Sequence, residues 1–208
     1  MDMSIDSSNK IALFATGDKN YFSKSKRCLE IFEESNPGVF DFYYVTSDTE
    51  AKSVGNINVI ILDPKDYIEG FTDTGYASES FLYYPVPNIL HEMGYKYSMC
   101  IDADCICLDK LDFSWLDEDF IVAGAKRYRN DLSEEIDAWY FLGAVNNKET
   151  INFLENTFDL QNKNDIIEIM DAVLIFDNER WVKEKLYDKV YDLFRICKDA
   201  GYPMRDTD

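Results

Sequence analysis

Histidine is nearly absent from this chain: His91 is the only one in 208 residues. A zinc centre would therefore have to draw on Cys105 and Cys107, and the ligand count disfavours such a site. Basic residues are also scarce. Twenty-one Lys and Arg face 40 Asp and Glu, a formal net charge of −19, which argues against nucleic acid because phosphate binding needs cationic surfaces that release counterions. Five cysteines, an odd number without framework spacing, exclude a disulfide scaffold and fit a reducing compartment. Charged residues, at 29%, exclude a fibrous or low-complexity chain. Long apolar runs are missing too: stretches such as residues 58–62 (NVIIL) are strand-sized, far short of a membrane span. The start, MDMSIDSSNK, has neither a basic region nor an apolar segment of secretory type.

What is present is enough apolar material for one sizeable core, at 46% hydrophobic and 15% aromatic residues. The length suits one domain over residues 1–208, at a typical ~150 residues per domain with wide scatter. Residues 10–16 (KIALFAT), 40–46 (FDFYYVT), 58–62 and 97–101 (YSMCI) read as buried strands, and 120–125 (FIVAGA) as a further short one. Residues 21–35 carry apolar side chains at helical spacing and end at Asn36-Pro37-Gly38. Residues 78–94 read as a helix with an irregular start at Pro85 and Pro87, and residues 148–158 as another. Residues 173–176 fit a strand or a helix start, and 179–198 one charged amphipathic helix. Strand–helix–strand alternation predicts an α/β fold with a mostly parallel central sheet flanked by helices. Ligands of such sheets sit at the carboxyl ends of the strands, which directs attention to Thr16-Gly17-Asp18 and to residues 102–104.

Asp102-Ala103-Asp104 follows the apolar run YSMCI directly. In an extended segment residues two apart share a side, so both carboxylates could face one hard cation, and such a cation neutralises a diphosphate. A calcium loop is excluded, since its sixth position would be Cys107 instead of Gly and its twelfth Phe113 instead of Glu. Most of the 40 acids have no such placement and read as solvated surface.

YSMCIDADCICLDKLDF resembles the metal-binding strand of GT-A glycosyltransferases, an apolar strand, Asp-x-Asp and a second short apolar strand. KIALFATGDKNYFSKSKRCLEIFEES with FDFYYVTSD resembles their first nucleotide-binding unit. DAWYFLGAVNNKETINFLENTF with NKNDIIEIMDAVLIFDNERW resembles the later part of retaining enzymes, in glycosyltransferase family 6 (blood-group A/B and α-1,3-galactosyltransferases) and in the glycogenin-like family 8. The resemblance implies a GT-A (Rossmann-like) fold and a metal-dependent enzyme that moves a hexose from a UDP-sugar, such as UDP-glucose, to a glycan or protein-linked glycan with retention. It implies Mn²⁺ or Mg²⁺ on Asp102 and Asp104. It places Phe14, Ala15, Thr16, Asp18, Tyr21 and Asp102 at the nucleotide, with Tyr21 stacked on the base. Asp102, Ala103, Leu142, Gly143 and Ala144 would meet the donor sugar, and Asp171 or Asp206 would be the catalytic carboxylate.

The match has departures. Family 6 has Glu after its first acid, whereas Ala172 follows Asp171; in the family 8 register the late motif falls at Asp206-Thr207-Asp208 instead. Residues 78–90 hold no Arg for the diphosphate, a charge Lys126, Arg127 and Arg129 could supply. A non-catalytic UDP-sugar-binding module and a sugar-nucleotide nucleotidyltransferase stay open as alternatives, the second weakened because ATGDKNYF has one Gly and no Arg. A cytoplasmic location, bacterial or in the host cytosol of a virus, is expected, with the chain either complete or the N-terminal part of a longer protein.

Overall fold

The computed structural model describes residues 10–67, 78–126 and 169–199. Six strands form one sheet: β1 (Ile11–Thr16), β2 (Phe40–Thr46), β3 (Ile57–Ile61), β4 (Tyr97–Ile101), β5 (Val122–Lys126) and β6 (Ile169–Asp177). Their spatial order is β3-β2-β1-β4-β6-β5. β1 pairs in parallel with β2 and β4, and β2 with β3, while β6 runs antiparallel to both β4 and β5. The expected α/β architecture is thus observed, with an antiparallel pair added at one edge.

β1 shows why the sheet is buried on both sides. Ile11, Leu13 and Ala15 pack on one face, and Ala12 and Phe14 on the other, each almost wholly inaccessible. Each fully buried large side chain contributes about 1.5–3 kcal/mol, so a strand apolar at every position needs a cover on both sides. Helix α1 (Phe22–Ser35) covers the first face by burying Ser25, Cys28, Leu29 and Phe32, the i, i+3, i+4, i+7 stripe of an amphipathic helix. Phe113, Trp115, Leu116 and Phe120 pack on the same face. The short α2 (Pro64–Tyr67) follows β3. The second face is covered by α3 (Val86–Glu92), α4 (Asn178–Lys183) and α5 (Leu186–Asp199), through Val86, Leu90, Trp181, Leu186 and Tyr187.

Three elements differ from the sequence reading. Residues 78–94 do not form one helix: a 3₁₀ turn (Ser78–Phe81) is separated from α3, with Pro85 and Pro87 at the start of α3 where their missing N–H groups cost nothing. The single helix expected over 179–198 is broken at Lys185, which takes φ 52° between α4 and α5. The strand expected at 120–125 starts at Val122, because Phe120 leaves the ladder to stack on Tyr97 and pack at a tilt against Trp115. The helix expected over 148–158 lies outside the described residues.

Candidate functional site

Parallel pairing brings the carboxyl ends of β1, β2 and β4 to one edge, and the antiparallel β6 begins there. Two segments of interest meet at this edge: Thr16-Gly17-Asp18 after β1 and Asp102-Ala103-Asp104 after β4.

The acidic segment is a turn. The ladder of β4 ends as Asp102 donates its N–H to the Ala172 carbonyl at 2.9 Å, and the Cys105 N–H then reaches back to the Asp102 carbonyl at 3.1 Å. Asp is favoured at the first position of such four-residue turns, and here the turn replaces the extended geometry expected from the pattern. Both carboxylates are nonetheless exposed, with Ala103 half-buried between them. Beneath the turn lies Cys28 of α1. Its thiol donates to the Cys105 carbonyl at 2.9 Å and lies 3.6 Å from the Asp102 carbonyl. Burial above all, then the neighbouring Cys105, Asp104 and Asp102, pushes the Cys28 thiol up to about 12, so it stays protonated and serves as a donor. The Cys105 thiol is also raised by burial and donates to the Ala172 carbonyl at 3.3 Å.

Beyond the turn the chain crosses the C-terminal end of α1 instead of forming the expected second strand. Asn36, fully buried, accepts the Leu111 N–H at 2.7 Å and sits 3.3 Å from the Cys107 sulfur. Cys107 is in the core, so the cysteine pair presents no zinc-binding face. Among the described residues no group of three or more His, Cys, Asp and Glu side chains is arranged around a common metal position. Two exposed carboxylates at a strand end suit Mg²⁺ or Mn²⁺, hard cations that take most of their oxygens from water and phosphate.

The loop after β1 is held by its own side chains. Asp18 accepts the Asn20 N–H at 2.8 Å and the Tyr21 N–H at 3.3 Å, and its second oxygen accepts the Asn20 amide at 2.8 Å. This Asx-type turn starts α1 and leaves Tyr21 49% exposed, with the Lys24 ammonium 5.2 Å from its ring centroid. Tyr44 of β2 supports the loop from below, donating its hydroxyl to the Asp18 carbonyl at 2.6 Å. Burial, and then the Asp18 charge, drives the Tyr44 hydroxyl well above the usual phenol range, so the donor is permanent. Gly17 is required by contact: a Cβ there would meet both Tyr21 Cβ and the Tyr44 hydroxyl at 2.9 Å.

The residues read from the sequence as nucleotide-binding therefore divide. Asp18, Tyr21 and Asp102 share the exposed edge. Phe14 and Ala15 do not, because their side chains fill opposite faces of the core, and only their backbone runs toward this edge. Thr16 is half-buried at the strand end. Asp171 belongs to the first residues of β6, next to the Ala172 carbonyl that anchors the acidic turn. Leu142, Gly143, Ala144 and Asp206, with Arg127 and Arg129, lie outside the described residues. Tyr44 and Cys28 escaped the sequence reading as site supports. For Tyr44 the signal was present, since a phenol in a buried strand needs a partner for its hydroxyl. His91 is remote: with Gly94, Tyr95, Lys96 and Glu179 it lines a shallow depression of about 250 Å³ at the opposite end of β4.

Comparison with solved structures places the fold among known ones. The chain superposes on the bifunctional glycosyltransferase WbbM with a TM-score of 0.56 at 13% identity, over 91% of this chain and 35% of that one. For the galactosyltransferase LgtC, solved with donor and acceptor sugar analogues, the values are 0.54 and 13%, over 87% and 64%. For mouse xyloside xylosyltransferase 1 they are 0.53 and 9%, over 94% and 77%. This is a glycosyltransferase fold. The GT-A resemblance of the acidic strand and of the first unit extends to the architecture of the described sheet. The chain spans about a third of WbbM and under two thirds of LgtC. No protein-family model matches it, and a search of curated proteins gives no match. No helix among the described residues is long and apolar enough to cross a membrane.

Proposed function

We propose that this chain transfers a hexose from a UDP-sugar to a glycan or protein-linked glycan, with retention, using Mn²⁺ or Mg²⁺. The observation that carries the reading is the exposure of Asp102 and Asp104 on a turn at the same sheet edge as Asp18 and Tyr21. WbbM, LgtC and the xylosyltransferase, which share this fold, are themselves named for glycosyl transfer. In this reading Tyr21 offers its exposed ring to uracil, since base stacking needs only an aromatic plane. Asp102 and Asp104 hold the cation. When bound, that cation neutralises the diphosphate and the charge that grows on departing UDP. Asp171 is the carboxylate assigned to the oxocarbenium-like centre.

The test is calorimetric titration of UDP with Mn²⁺ and again with EDTA, followed by hydrolysis assays on a panel of UDP-sugars. Metal-dependent binding with slow donor hydrolysis is expected. Binding without hydrolysis or transfer would make the chain a UDP-sugar-binding module. No binding in either condition would reduce the acidic turn to a structural one and overturn the reading.

A further inference from the structure

Besides the Gly17 N–H, which donates to the Val45 carbonyl of β2 at 3.1 Å, the Asp18 turn has one side-chain support that comes from another strand. Asp18 orders Asn20 and Tyr21 through its carboxylate, but that local turn could pivot as a unit on Gly17. The Tyr44 hydroxyl prevents this, because it donates to the Asp18 carbonyl at 2.6 Å and lies where a Gly17 side chain would stand. Tyr44 is itself immobile: it is 1% exposed, its strand register is fixed by β1, and its ring packs edge-on against Phe22 at 5.0 Å. Phe22 is the first residue of α1, directly after Tyr21. One side chain thus touches the loop at the Asp18 carbonyl and the helix start at Phe22, on both sides of the exposed ring.

We propose that Tyr44 is a positioning residue for nucleotide binding, fixing the Tyr21 ring and the Asp18 carboxylate in the orientation that a nucleoside diphosphate meets. Tyr44 does not touch the ligand. Its action is preorganisation: a loop already held in the bound geometry loses less freedom on binding. The inference rests on the nucleotide site proposed above and adds the residue that orients it.

The experiment compares the full chain with Tyr44→Phe and with the control Tyr43→Phe. The control removes a neighbouring hydroxyl that bonds Tyr95 at 2.9 Å, away from the loop. UDP is titrated calorimetrically with Mn²⁺, and amide exchange is followed in the free proteins. Tyr44→Phe is expected to bind UDP roughly three- to tenfold more weakly, the factor for one neutral hydrogen bond. It should also exchange the Asn20 and Tyr21 amides faster, with β1 unchanged, while Tyr43→Phe does neither. Equal UDP affinity in Tyr44→Phe, or equal weakening in the control, overturns the positioning role while leaving the site intact. Unchanged exchange at Asn20 and Tyr21 overturns it without reference to any ligand. Absence of UDP binding by the unsubstituted chain overturns the site reading itself, and the positioning role with it.

Discussion

Replacing Gly17 by alanine tests the packing of the β1–α1 loop with a single methyl group. Two effects oppose each other. Alanine restricts the unfolded chain and stabilises by about 0.4–1 kcal/mol where the native backbone tolerates it. Gly17 is not among the glycines with positive φ, so backbone strain does not decide the outcome. Space does. The new Cβ would lie 2.9 Å from Tyr21 Cβ and 2.9 Å from the Tyr44 hydroxyl. Neither neighbour gives easily: the first is fixed to the backbone at the helix start, and the second is the end of a rigid ring 1% exposed. Overpacking of this kind costs about 1–3 kcal/mol, which exceeds the entropic gain over most of that range. A net loss of ~1–2 kcal/mol lowers Tm by about 2–8 °C in a domain of this size. Thermal unfolding followed by circular dichroism reads the shift, and urea unfolding reads the free energy. The double variant Gly17→Ala with Tyr44→Phe removes one of the two close contacts, so its loss should be smaller than the sum of the single losses. A Gly17→Ala chain as stable as the original, or more stable, would refute the argument.

Other outcomes follow from the same structure. Asp102→Asn and Asp104→Asn should each abolish Mn²⁺-dependent UDP binding in calorimetry while leaving Tm within a few degrees, because both carboxylates are exposed on a turn. Leu90→Ala opens a cavity among Phe14, Leu82 and Val86 and should cost about 2–5 kcal/mol by urea unfolding. Asn178→Ala strands the Ser98 hydroxyl, which donates to its side chain at 2.6 Å, and also the Tyr95 carbonyl, which accepts from it at 3.0 Å; a loss of ~2–4 kcal/mol is expected. Alkaline stability reports on Cys28 and Tyr187, both pushed up to about 12 mainly by burial. The folded chain keeps these protons while the unfolded chain sheds them from about 9 for the thiol and about 10 for the phenol, so their contribution is complete below pH ~9 and lost as pH rises toward 12. Urea unfolding at pH 8, 10 and 11 should show that decline, and a flat profile would contradict it.

Elements whose identity is local were legible in the sequence. β2 and β4 coincide with the runs FDFYYVT and YSMCI, because strands buried on both faces are apolar throughout and carry their own boundaries. α1 was legible from its stripe at Cys28, Leu29 and Phe32. The break at Lys185 was not, since neither glycine nor proline marks it and the apolar spacing continues from Trp181 through Leu186 and Tyr187. The antiparallel run of β6 left no local trace either, because apolar composition carries no strand direction. In the site, Asp102 and Asp104 stood out by position, but their turn depends on the Ala172 carbonyl, a partner that only the sheet order supplies. Phe14 and Ala15 were read with the nucleotide because they adjoin the loop, whereas the pleat turns their side chains to opposite layers.

The sheet order also bears on how the protein is made. β1, α1, β2 and β3 are consecutive and pair with near neighbours, so they can associate while the rest of the chain is still emerging from the ribosome. β4 joins by pairing Ala12 with Ser98, and its other side waits for β6, with Ser98 and Asn178 meeting across 80 residues. Closing such long loops is entropically slow. The carbonyl that anchors Asp102 arrives with Ala172. A nascent chain stalled before that residue holds both acidic side chains but not the turn that presents them, so this centre matures late in synthesis.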